Sequence, residues 1–223
     1  MLQPGPGRGP SPGPLQEPDC TLLHVGCGPY QPDKLHPWFR GPRWREIRLD
    51  IDPRVRPDIV ASLTDLGCFP DGSVDAVWSS HNIEHLHEHE LEIALAEIVR
   101  VLKPTGFALF TTPDLVRVAQ EIAAGRLEDT LYVSPAGPIT PIDVLYGLRR
   151  SIAAGNGFMA HRTGFSVDRL GRVLVEAGFA EARVWPGRSF DLWAVGLREQ
   201  SRPADHGIAV PGPSQGGPDA ITG

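Results

Sequence analysis

The chain has 223 residues with 21 Lys and Arg against 27 Asp and Glu, a formal charge of −6. That length suits one ordinary domain, and the acidic balance argues against a dedicated nucleic-acid binder, which shows a basic footprint. No apolar run approaches the ~20 residues of a membrane span, no secretory apolar stretch opens the chain, and Cys20, Cys27 and Cys68 form neither a disulfide ladder nor paired metal-binding spacing, so a cytoplasmic address is expected.

Ten glycines and prolines crowd residues 1–18 and nine crowd residues 200–223. These ends have little to bury against the entropy of ordering and read as disordered tails, 1–19 and 200–223, around one domain, 20–199. The domain opens on Thr21–Val25, an apolar run that ends abruptly at Gly26-Cys27-Gly28, as a buried parallel strand does where it hands over to a ligand-binding turn. Pro29, Pro32, Pro37 and Pro42 break any helix that follows. Arg45–Ile51 is a second strand ending in Asp50 and Asp52, and Asp58–Ala61 a third. Only eight residues separate Asp50 from Ile59; a helical crossover needs about a dozen, so the third strand is expected as a reduced edge.

Asp71-Gly72 turns the chain into a buried strand, Val74–Ser80. Leu91, Ala94, Leu95, Ile98, Val101 and Leu102 fall at helical spacing within Glu90–Leu102. Lys103-Pro104-Thr105-Gly106 stops that helix, and Phe107–Thr112 is a strand. A helix over 115–124 ends at Gly125. Residues 127–165 interrupt the alternation as an insertion on the substrate side. Ser166 caps a helix to Ala177, and Ala182–Trp185 with Leu192–Leu197 form an antiparallel hairpin through Pro186-Gly187. The expected fold is α/β: a Rossmann-like open, mostly parallel sheet with helices on both faces and an antiparallel C-terminal hairpin.

Gly26 and Gly28 let backbone approach a ligand closely at the carboxyl end of the first strand. Asp50, 24 residues beyond Gly26, stands near the ~20-residue offset at which an acid meets ribose hydroxyls. Together they indicate a nucleoside ligand. Gln31 stands where a dinucleotide fingerprint needs glycine or alanine, and the proline-rich stretch offers a pyrophosphate no good helix N-terminus, so NAD is disfavoured.

Five strings, Leu23–Gly28 (LHVGCG), Arg48-Leu49-Asp50, Phe69–Val77 (FPDGSVDAV), Ser80–Leu86 (SHNIEHL) and Arg100–Gly106 (RVLKPTG), resemble class I S-adenosylmethionine (SAM)-dependent methyltransferases of the ubiquinone-type group. The likeness spans about residues 20–113 and resumes over 161–198. It implies SAM as the cofactor, with His24, Gly26, Cys27 and Gly28 at the methionine moiety, Asp50 and Ile51 at the ribose, Ser62 and Leu63 flanking adenine, and Ser80 and His81 at the reaction centre. His24 replaces an acid usual in the family, Tyr30 a third glycine, and Ser62 a more frequent acid.

His81, His85, His87 and His89 fall within nine residues. His81–His85 matches H-x-x-E-H, and on a helix His81 and His85 would share a face able to bind zinc. The string directly follows a buried strand, however, and methyltransferases of the resembled group often carry an E-H-L segment there without zinc. Context therefore favours methyl transfer, with no metal, over a zinc hydrolase. His87 and His89 read as a solvated helix start. His81, His85 and His161 are the candidate general bases; Asp114, Tyr146 and His161 are candidates to line the acceptor side, with an N-cap role open for Asp114 and packing or turn roles open for Tyr146 and His161. The expected activity is methyl transfer to a small-molecule acceptor, with no nucleic-acid or membrane partner. The rival is a methyltransferase-like scaffold that binds or regulates without turnover.

Overall fold

The structure, a computed structural model, describes residues 18–206 and 208–210. Of the expected tails, residues 1–17, 207 and 211–223 lie outside the described residues. In chain order the elements are β1 (Cys20–Val25), β2 (Trp44–Asp50), β3 (Ile59–Val60), β4 (Val74–Ser80), α1 (Glu88–Val101), β5 (Leu102–Pro113), α2 (Leu115–Ala123), β6 (Tyr132–Ser134), β7 (Gly137–Ile139), α3 (Pro141–Tyr146), α4 (Arg149–Ala153), α5 (Val167–Glu176), β8 (Glu181–Pro186) and β9 (Asp191–Leu197).

Seven strands form one sheet in the order β3-β2-β1-β4-β5-β9-β8, parallel except for β9. The order reverses between β1 and β4, so the crevice where ligands bind in such sheets opens at the carboxyl ends of these two strands. As the short connection requires, β3 pairs with β2 only through Leu49–Ile59 and Asp50–Val60, and the linker holds one 3₁₀ turn, Pro53–Val55. The Lys103–Gly106 stop is absorbed into β5: Val74 pairs with Leu102 and Ala76 with Phe107. The four intervening residues bulge out, and Pro104 therefore breaks no ladder bond.

Burial on both sides of the sheet follows from the alternation within each strand. Leu23, Val25 and Val77 face α1 and α5, whose Leu91, Leu95, Ile98, Leu170 and Leu174 are fully buried against them. Leu22, Ala76 and Trp78 face the other way, into an aromatic cluster with Phe39, Trp44, Phe107, Trp185 and Trp193. That second face is covered by two 3₁₀ turns, Pro32–Lys34 and Pro37–Phe39, because the prolines break any longer helix. It is also covered by the stretch after β9. Residues 200–206 and 208–210, expected within a tail, include a 3₁₀ turn and a buried Ile208, 3% exposed, that joins the aromatic cluster. Val210 packs against the same cluster, so two apolar side chains dock an otherwise polar segment.

His36 sits inside this cluster, 2% exposed, with its ring 4.9 Å from Trp38, 5.5 Å from Trp78 and 5.3 Å from Trp193. Its Nδ1 accepts the Trp38 N–H at 3.3 Å. Burial first, and then the Arg40 charge, push its pKa from 6.5 down to about 4. Below 6.5 the unfolded chain takes up the proton that the folded chain refuses, so this stability contribution is complete above 6.5 and falls away toward pH 4. His36→Phe is expected to reduce the loss of unfolding free energy between pH 7 and pH 4 by about 3 kcal/mol relative to wild type, read by urea melts at the two pH values; equal losses in both proteins would refute the assignment.

Candidate functional site

β1 ends in a turn through Gly26 at φ +60° and Gly28 at φ +58°. Gly26 is required twice over, by the left-handed backbone and because a Cβ there would lie 2.4 Å from Cγ of Asn82. At Gly28 the equivalent position opens on empty space, with nothing within 4 Å. Asp50, at the end of β2, faces this turn: its Oδ2 accepts the Gly28 N–H at 2.8 Å and its Oδ1 accepts the Asp52 N–H at 2.9 Å. Each oxygen keeps a second lone pair for a ligand hydroxyl. Arg48 donates to the Gly28 carbonyl at 2.5 Å and lies 5.3 Å from the ring of Tyr30. An open glycine face beside a fixed, half-buried carboxylate fits the ribose side of an adenosyl group.

The remaining expected cofactor residues divide. His24 is buried on the far face of the sheet, its Nδ1 2.6 Å from Glu46 Oε1. With Cys27, Tyr30, Arg40 and Arg48 it lines a cavity of about 300 Å³ that Gly26, Gly28, Asp50 and Ser80 do not line. Cys27 is buried and its thiol is pushed up to about 11, mainly by burial, so it stays protonated. Ile51 is 47% exposed. Ser62 turns back on its own segment, accepting from the Thr64 N–H at 3.2 Å and sharing a 2.7 Å contact with the Thr64 hydroxyl. Leu63 puts its side chain, 6% exposed, into the α1-side core.

Beyond β4 no helix runs through His81 and His85. His81 takes φ +46°, a strained value for a side-chain-bearing residue that recurs at functional sites, and only a 3₁₀ turn, Ile83–His85, follows. The shared helical face of H-x-x-E-H is therefore absent. Instead the turn buries Glu84, 1% exposed, whose Oε2 accepts the Thr112 hydroxyl at 3.3 Å and whose Oε1 lies 3.3 Å from His81 Nδ1.

The insertion folds back onto this turn. Arg162 and Thr163 N–H donate to the Glu84 carbonyl at 2.8 and 3.2 Å. His85 Nδ1 donates to the Ala160 carbonyl at 3.1 Å and His161 Nδ1 to the Val144 carbonyl at 2.6 Å, with the two rings 4.8 Å apart. Gly147, at φ +89°, permits this approach, since a Cβ there would fall 1.9 Å from the Met159 carbonyl oxygen. Ser80, at the end of β4, contacts the Thr111 hydroxyl at 3.2 Å.

These groups shape one another's protonation. Burial resists the Glu84 charge, but hydrogen bonding and charge from His81, then the charges of His85 and His161, hold its carboxyl below the usual range. The surrounding protein opposes charging of His81, although 47% of its side chain reaches solvent; Glu84 and then Asp191 outweigh this and raise it. Burial lowers His161, against the pull of Glu84. Tyr132, on β6, is raised by burial and by the charges of Asp191, Glu84 and Asp143.

Of the acceptor-side candidates, Tyr146 stands in solvent and Asp114 takes the N-cap role that the sequence left open. Tyr146 is 63% exposed and contributes only its carbonyl, to the His161 N–H at 3.2 Å; the end of α3 turns its side chain outward. Asp114 is 4% exposed and caps α2 through the N–H groups of Val116 and Arg117 at 3.0 and 3.3 Å, which occupies it structurally. Glu84, Thr112 and Tyr132 were missed. Only Glu84 left a signal, as the acid of H-x-x-E-H.

Residues 23–110 match a family model described as a methyltransferase domain, which bears out the class I resemblance. No curated protein sequence matches significantly. Among solved structures, the chain is similar to a SAM-dependent methyltransferase from Archaeoglobus fulgidus, at 14% identity and TM-score 0.53 over 82% of this chain and 88% of that one. It is likewise similar to a SAM-dependent methyltransferase from Methanosarcina mazei, at 16% identity and TM-score 0.53 over 82% and 94%. A possible exported protein from Bordetella parapertussis aligns at 16% identity and TM-score 0.50 over 82% of this chain, which spans 63% of that protein's length. At these identities the likeness establishes the fold.

The histidines make the electrostatics measurable. In chelated buffer, NMR titration is expected to place His81 above the ordinary 6.5 and His161 below it. Glu84→Gln should lower both, because the same carboxylate raises each; a His81 that does not move would disprove the pairing.

Proposed function

We propose that this chain, which carries the methyltransferase-domain sequence signature over residues 23–110 on a class I fold, is an enzyme that transfers a methyl group from SAM to a small-molecule acceptor. The observation that carries the reading is the Asp50 carboxylate held 2.8 Å from the Gly28 N–H at the carboxyl end of β1, where the sheet order reverses. Gly28 gives backbone access, Gly26 makes room for Asn82, and Asp50 accepts the ribose hydroxyls with its remaining lone pairs. Ser62 stands at the adenine side. When bound, the sulfonium supplies an already activated methyl carbon.

The chain's own residues then have modest tasks: to align an acceptor with that carbon, to exclude water and to receive a proton. His85 and His161 suit the last task. A carbonyl can only accept, so each ring carries its proton on Nδ1, and the neutral imidazole keeps a lone pair on Nε2. His81, drawn toward its charged form by Glu84, already holds its proton over more of the pH range and is the better positioning group.

Among the described residues no helix is long and apolar enough to cross a membrane, and Cys27 and Cys68 are free thiols, which suits the cytoplasm. A second reading, a scaffold that holds the cofactor without turnover, is favoured by one feature: His24, tied to Glu46, stands where the family has an acid. Release of S-adenosylhomocysteine in the presence of hydroxyl-bearing small molecules separates the two.

Asp50→Ala is expected to weaken S-adenosylhomocysteine binding about 10- to 100-fold, the worth of hydrogen bonds to a charged group. Calorimetry at a temperature well below the variant's melting point measures it; unchanged affinity would remove Asp50 from the cofactor site.

A further inference from the structure

Glu84, His85 and His161 place one possible ligand atom each within 4.8 Å of one another. Two imidazoles and one carboxylate are a donor set that takes zinc or another first-row divalent cation while leaving coordination positions open. Three independent features of the cluster indicate a ligand. Oε1 of Glu84, in a side chain 1% exposed, has the 3.3 Å ion-pair contact with His81 Nδ1 but no well-directed hydrogen bond among the described residues, which leaves a buried carboxylate oxygen able to take a further partner. Both histidines donate Nδ1–H to a backbone carbonyl, Ala160 and Val144, the outer-shell arrangement that orients metal-ligating imidazoles and leaves Nε2 for the ion. The three residues come from two chain segments 76 residues apart, joined by the Arg162 and Thr163 hydrogen bonds to the Glu84 carbonyl.

Ligands on a tetrahedral ion stand roughly 3.4 Å apart, given metal–ligand bonds near 2.1 Å. The set therefore closes on a cation by side-chain rotations of about an ångström. His81, on the same turn, lies outside the group. The local sequence motif thus supplies only two of the ligands, and the third comes from the insertion.

We propose that Glu84, His85 and His161 bind a first-row divalent metal ion, zinc or a neighbour in that series, beside the adenosyl crevice. This replaces the metal-free expectation. Asn82, two residues before Glu84, lies against Gly26 of the glycine turn, so the ion and the cofactor turn share one wall.

The ion's role rests on the methyltransferase reading; its site does not. With their Nε2 lone pairs on the ion, His85 and His161 no longer act as the base, and an acceptor hydroxyl on an open position instead loses its proton to solvent near neutral pH, because the cation stabilises the alkoxide. That oxygen's lone pair then forms the bond to the methyl carbon as the carbon–sulfur bond breaks, its electron pair remaining on sulfur as a neutral thioether. The acceptor class is accordingly an alcohol or phenol.

The test is cobalt(II) chloride titrated into the untagged, chelator-stripped full chain and followed by visible absorption, with S-adenosylhomocysteine calorimetry run in parallel. Wild type and His89→Ala, a change at the exposed helix start, are expected to bind one equivalent with equal affinity. His85→Ala and His161→Ala should each weaken it at least tenfold, as should Glu84→Gln. If Glu84→Gln does not fold, the two histidine variants decide. Absence of saturable binding overturns the site, as does binding unaffected by His161→Ala or lost in His89→Ala. S-adenosylhomocysteine binding without cobalt binding defeats the metal site alone; cobalt binding that depends on His161, without S-adenosylhomocysteine binding, supports the site and defeats the methyltransferase reading.

Discussion

The carboxylate of Asp50 is the tie on which the ligand-facing edge of the sheet depends. Two parallel strands that end side by side release their chains in unrelated directions, and here the linker out of β2 is too short to hold a helix that would brace it. One oxygen of Asp50 holds the turn leaving β1 and the other holds the segment leaving β2. Charged acceptors form stronger hydrogen bonds than neutral ones, so a single side chain ties the two exits together. It also fixes a negative charge beside the Gly28 backbone, where no side chain stands.

Much of this was legible in the sequence because the core strands are short apolar runs with clear ends. Val74–Ser80 coincides with β4 as read, and the spacing of Leu91, Leu95 and Ile98 marked the buried side of α1. What spacing cannot reveal is a meeting of distant segments. His85 and His161 were each picked out for their chemistry, but their contact depends on Gly147, whose missing side chain lets the Met159 backbone pass. Residue type also misled at Tyr146 and Asp114. A tyrosine suggests a pocket, yet a six-residue helix ending in glycine left this one in solvent; an acid after a strand suggests a site, yet the following helix claimed it as a cap. H-x-x-E-H has a different geometry here from its helical form. Its helical reading requires ordinary backbone at His81, and the sharp exit from β4 imposes a left-handed residue there.

Burying Glu84 beneath three imidazoles concentrates the electrostatics of the site in one place. An isolated charge at such depth would neutralise itself. Here the neighbouring rings keep it ionised, and it in turn keeps His81 protonated over a wider range. Because the His161 ring reaches this group from the insertion, the chemistry of the turn after β4 and the conformation of residues 140–163 form a single unit. A shift of the insertion alters the charge state of a residue it touches mainly through backbone.

The segment after β9 has a structural part that its composition conceals. Arg43, just before β2, donates to the Asp205 carbonyl at 2.8 Å, and Ile208 completes an apolar cluster that Leu35 and Trp38 also join. The stretch is thus a buttress for the proline-rich passage that leaves the glycine turn. Shortening the protein upstream of Ile208, whether by a nicking protease or by a cloning boundary drawn at the last strand, would expose indole rings to water and loosen the cover of the aromatic face.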